Sequence, residues 1–121
     1  MEREKRIEID DRFGKEFKGV YVFRTISWAE SNRISGECTK IIPQTKRSLI
    51  DLKRMQALMV DSTLKERPEA LTLQVLLGED PKVLMPPVLG EILISATDLV
   101  NGYSEKDREE LKNLKKRWGL E

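Results

Sequence analysis

The chain is 121 residues long, with 22 basic against 21 acidic side chains, a formal net charge of +1, no histidine and one cysteine. This length supports a single domain, over 1–121, and the 34 Leu, Ile, Val and Phe residues suffice to build its core. The missing histidine and the lone Cys38 exclude a disulfide framework, most zinc sites and every catalytic arrangement that depends on imidazole.

Taken along the chain, the residues predict an α+β fold that is mainly α. An N-terminal β-hairpin or small antiparallel sheet spans about 5–26, with 37–42 a candidate third strand, and about five helices pack on it. Ile7 and Ile9 alternate with Arg6, Glu8 and Asp10, the period-two pattern of a half-buried strand. A turn around 11–16 leads into FKGVYVFRTI, whose Val20, Val22 and Ile26 fall on one face and Tyr21, Phe23 and Thr25 on the other. Apolar residues on both faces predict a strand covered on part of its second side. Ser27 and Glu30 have the spacing of a capping box and start a short helix that Gly36 should end. One helix is then predicted from about Thr45 to Lys65, capped at Ser48 or Asp51, with Leu49, Leu52, Met55, Leu58 and Met59 recurring at helical steps. Pro68 stops it, and a short helix over Leu71–Leu77 closes at Gly78. Pro87 suits the first turn of the next helix. Its residues Val88, Leu89, Ile92, Leu93, Ala96, Leu99 and Val100 give the broadest apolar face in the chain, ending at Asn101-Gly102. A final helix from Ser104 has acids crowding its start and Lys112, Lys115, Lys116 and Arg117 its end, matched to the helix dipole.

Charge divides along the chain. Residues 1–48 are mildly basic (net +3), 49–104 acidic (net −3) and 105–121 nearly balanced (net +1). No apolar stretch follows the charges of Met1–Arg6, so a signal peptide is not expected there. The longest uncharged apolar run, Val83–Gly90, falls far short of the about 20 residues that a membrane helix needs. A soluble, cytoplasmic protein without membrane contact is expected. Three Asn and three Gln among so many Lys, Arg and Glu fit a thermophilic source.

The sequence offers little to catalysis. The acidic pairs Asp10-Asp11 and Glu79-Asp80 sit beside turn residues and lack the spaced ligands of a calcium or magnesium loop. Gly14 and Gly19 are not followed by the Lys-Ser/Thr of a phosphate-binding loop, and Gly-x-Ser-x-Gly is absent. Cys38 has Lys40 nearby but no partner base. The chain is therefore expected to be no enzyme, with no catalytic residue, no cofactor and no metal. A nucleic-acid-binding alternative rests on the basic β-rich N-terminal part, where Tyr21 and Phe23 could stack on bases between Lys15, Lys18 and Arg24. The near-zero net charge argues against it. Another protein–protein interaction or assembly module is a further alternative. Leu111, Leu114 and Trp118 form a narrow stripe at i, i+3 and i+7 on the charged last helix. The stripe fits either docking on the protein's own core or anchoring in a partner's groove.

The order of these elements resembles the tail assembly chaperones of long-tailed phages and proviruses. The likeness lies in the opening IEIDDRFGKEFKGVYVFRTIS, Trp28 with its capped helix, SLIDLKRMQALMVDSTLKE, LTLQVLLGEDPKVLMPPVLGEILISATDLVNG, and the charged last helix. It spans nearly the whole chain as layout and pattern. The resemblance implies a non-enzymatic role in virion assembly. The chain would bind the tape measure protein, keep its apolar helices soluble, help bring in the tail tube protein, and act as a homo-oligomer. Partner-binding candidates placed on these residues are Leu111, Leu114 and Trp118, and the pair Met55 and Met59, since methionine adapts to varied partners.

Overall fold

The computed structural model describes residues 3–102 and 105–120. Its fold is α+β, as the sequence predicts. Strand β1 (Glu4–Ile9) runs antiparallel to β2 (Gly19–Arg24), with Ile9 opposite Gly19 and Glu4 opposite Arg24. The connection is longer than a tight turn because it holds two short 3-10 segments, Asp11–Phe13 and Lys15–Phe17, joined at Gly14. Gly14 has φ 110°, in the region that only glycine adopts without strain. Phe17, at the end of this connection, is fully buried, and its carbonyl accepts the Tyr21 hydroxyl at 2.7 Å.

Helix α1 (Trp28–Glu37) starts where predicted, with the Ser27 hydroxyl accepting from the Glu30 N–H at 3.1 Å. The Glu30 carboxylate instead binds Arg33 and the Ser62 hydroxyl, so its reciprocal half of the capping box goes to tertiary contacts. Gly36 does not end the helix but lies inside its last turn.

The next stretch corrects the sequence reading. Residues 37–42 do contain a strand, β3 (Thr39–Ile42), but it does not join the N-terminal sheet. It pairs with β4 (Arg47–Ile50) in a separate antiparallel hairpin. The predicted Thr45–Lys65 helix is thus β4, then α2 (Leu52–Thr63), then β5 (Leu64–Glu66). Two local choices decide this. Lys46 turns the chain with φ 55°, and Asp51, not Ser48, caps α2 by accepting from the Arg54 N–H at 3.1 Å. At the other end Leu64 leaves the helix to pair with Phe23, making β5 the third strand in the order β1-β2-β5.

Helix α3 (Leu73–Leu76) is a single turn capped by Thr72. Helix α4 (Pro87–Asn101) begins with Pro87 in its first turn and buries Leu89, Leu93, Ala96, Thr97 and Val100. Leu89, Leu93, Ala96 and Val100 close over Tyr21, Phe23, Leu64, Leu71 and Val75 to form the main core. A second, smaller cluster holds Ile34, Cys38 and Leu58 between α1 and α2. Asn101 is more than a helix stop. Its side-chain Oδ1 accepts from the Ile26 N–H at 3.0 Å and its side-chain Nδ2 donates to the Thr63 hydroxyl at 2.8 Å, tying the ends of α4, β2 and α2 together. Gly102 ends α4 with an ordinary φ of −79°; glycine fits because a Cβ there would lie 2.6 Å from the Asp98 carbonyl oxygen. Helix α5 (Glu105–Arg117) follows. The predicted start at Ser104 lies outside the described residues.

Candidate functional site

Helices α2 and α4 pack with a shallow trough between them. At one end the trough widens into a cavity of about 540 Å³, floored by Ala57, Val60, Leu93 and Ile94 and walled by Val83 and Met85 of the preceding loop. Lys53, Arg54 and Glu79 stand on its rim. At the other end a cavity of about 340 Å³ is lined by Met55, Met59 and Thr97, with Ser31, Ser35 and Asp98 at its edge. Gln56, Val60 and Ile94 line both, so the two form one groove along α2 and α4. The loop that makes its wall is shaped by Asp80, whose carboxylate accepts from the Lys82 and Val83 N–H groups at 2.8 and 3.2 Å.

Met55 and Met59 are half-buried, packed on the Ile34–Cys38–Leu58 cluster and facing this groove. Leu111, Leu114 and Trp118 are elsewhere: they are 37%, 38% and 64% exposed and belong to neither buried cluster. Residues 108–120 are exposed throughout, and α5 meets the body at its first turn, where Arg3 bridges to Asp107 at 3.5 Å and donates to the Gly102 carbonyl. The two groups of sequence-predicted residues therefore occupy separate surfaces. Sequence reasoning missed the groove's far wall, Val83, Met85 and Ile94. Met85, just before Pro86-Pro87, was the available signal, a third methionine beside the pair already singled out.

The other candidates resolve into structural roles. Asp10 accepts from the Arg12 side chain and backbone, and the Arg12 guanidinium holds its carboxyl down at about 2. Such a carboxylate stays charged and is no base near neutral pH. Burial pushes the Cys38 thiol up, away from the thiolate that a nucleophile requires. Tyr21 and Phe23 are fully buried beneath α4 and offer no face for a base to stack on, which removes the surface behind the nucleic-acid alternative. Among the described residues, no helix is long and apolar enough to cross a membrane.

No family model matches the chain, and neither the curated proteins nor the solved structures contain a match.

Proposed function

We propose that this is a non-enzymatic binding protein of the tail assembly chaperone type. It holds apolar helical segments of a tape measure protein until tail tube subunits assemble around them, works as a homo-oligomer, and acts in the cytoplasm of the host cell. The observation that carries this reading is the groove between α2 and α4, apolar along its floor and lined by Met55, Met59 and Met85. Flexible thioether side chains adapt to different apolar faces, which suits a site that must accept many successive turns of a long helical client. The groove lies in a body whose surface is densely charged, 36% of all residues being Asp, Glu, Lys or Arg, as a protein that keeps an insoluble partner in solution requires. The layout likeness to tail assembly chaperones supports the same reading.

Co-expression with a tape measure protein, a long helical client with apolar segments, tests the proposal. The expected result is that the client moves from the pellet to the soluble fraction, and that Met59→Asp, which sets a charge in the groove, reverses this. A client that is equally insoluble with and without the chain ends the reading.

A further inference from the structure

We infer that α5 of one copy docks on α4 of a second copy, in the groove between α4 and the outer edge of β1. This deepens the self-association included in the function proposed above and uses a different surface from the methionine groove.

Helix α4 is buried on most of its circumference but leaves Val88 and Leu99 exposed and Ile92 half-buried. With Ser95 and the β1 residues Lys5 and Ile7, they line an open depression of about 560 Å³. Ile92, Ser95 and Leu99 repeat the i, i+3, i+7 spacing of Leu111, Leu114 and Trp118, the stripe that α5 leaves without a place in the core. Serine at the middle position leaves room for a large side chain from the other helix.

Charge selects the occupant. At 3.6 residues per turn, Glu91 and Asp98 both fall on one flank of the α4 stripe, the flank away from β1, and α4 carries no basic residue. On α5, Arg108, Lys112 and Lys115 all fall on one flank of the Leu111–Trp118 stripe, with Glu110 and Arg117, one acid and one base, on the other. Viewed from each helix's N-terminus, the acidic flank of α4 and the basic flank of α5 have opposite hands, and flanks of opposite hand meet only when helices pack parallel. In that arrangement the three bases face Glu91 and Asp98, and Glu110 faces Lys5.

A chain's own α5 is unsuited to this. Helix α4 ends at Asn101 and α5 begins at Glu105, and so short a connection lets the two helices pack only antiparallel. Folded back that way, the three bases would face Lys5, and only Arg117, beside Glu110, would face the acidic flank of α4. Arg3, holding both the Gly102 carbonyl and Asp107, ties the first turn of α5 to the body. A second copy supplies the parallel helix that the charges require.

The test uses the full chain carrying Trp28→Phe; Trp28 is 82% exposed, and its removal leaves Trp118 as the single tryptophan. Sedimentation velocity across concentration should show association, with Trp118 emission shifting to the blue as it proceeds. Leu111→Ser should weaken association roughly tenfold or more, as loss of an interface anchor does, with helicity by circular dichroism retained. Two charge-reversed variants sharpen this: Glu91→Lys with Asp98→Lys, and Arg108→Glu with Lys112→Glu and Lys115→Glu. Each alone should be monomeric, and an equimolar mixture should associate. A monomer at every concentration overturns the inference, whether Trp118 is solvent-exposed (a surface reserved for a foreign partner) or blue-shifted (closure on its own chain). Association unaffected by Leu111→Ser, or reversed variants that stay monomeric when mixed, also overturns it. Loss of client solubility in a variant that still associates counts against the chaperone reading and leaves this one standing.

Discussion

Helices α4 and α5 are neighbours in the chain and both carry leucines at helical spacing, yet α4 closes the core while α5 stands exposed beyond its first turn. The difference lies in the width of the apolar face. α4 has two charged residues in fifteen, and its Leu89, Leu93, Ala96 and Val100 can sink into the sheet while Val88 and Leu99 still reach the surface. α5 has ten charged residues in thirteen, and burying it on the body would strip water from several of them to gain two leucines and a tryptophan. A narrow stripe on a charged helix stays at the surface of its own chain. A wide face dictates its own burial.

The contrast is tested most severely at α4. Leu93 is fully buried among Phe23, Val60 and Val75. Leu93→Ala should cost about 2–5 kcal/mol, from lost transfer energy and the cavity left behind, read as a lower denaturation midpoint with an unchanged slope. A cost below about 1 kcal/mol would mean that α4 is not the centre of the core.

Smaller in effect, but specific to the packed region, is Tyr21→Phe. The buried hydroxyl donates to the Phe17 carbonyl, and losing it should cost about 0.5–1.5 kcal/mol near neutral pH. Burial raises the Tyr21 pKa from 10.0 to about 12. Between those values the unfolded chain has lost the phenolic proton while the folded chain keeps it, so unfolding releases a proton and stability falls as pH rises through this window. The variant lacks this component. Its denaturation midpoint should therefore fall less steeply than the wild type's between pH 10 and 12; parallel profiles would show that the phenol ionises as freely in the folded chain as in the unfolded one.

How much of this was legible from sequence follows the same division. The β1–β2 hairpin, the Ser27 cap, the Pro87 start and the burial of Leu89, Leu93, Ala96 and Val100 were readable because local pattern and tertiary packing agree there, whereas Val88 and Leu99, predicted on the same apolar face, lie exposed. The Thr45–Lys65 segment was not. Leu49 and Leu52 fit a helical repeat, but Lys46 turns the backbone and Asp51 starts the helix late, freeing Arg47–Ile50 to pair with β3. Leu64 belongs to β5 only because Phe23 offers a strand edge, a partner far away in sequence. The methionine groove was half readable. The spacing of Met55 and Met59 put them on one helix, whereas Val83, Met85 and Ile94 join them only through the packing of α4 and its preceding loop.

The mildest substitution isolates the contrast best. Leu111 is 37% exposed and outside both buried clusters, so Leu111→Ser, measured by chemical denaturation at a concentration too low for association, should change stability by less than about 0.5 kcal/mol. The helix itself loses little, since serine lowers propensity by only a few tenths of a kcal/mol relative to leucine. The same chemical change, a leucine side chain removed, is thus expected to cost several-fold less here than at Leu93. A cost of 2 kcal/mol or more in the monomer would mean that α5 packs on its own body after all, and a narrow apolar stripe on a charged helix would then be no guide to surfaces meant for another molecule.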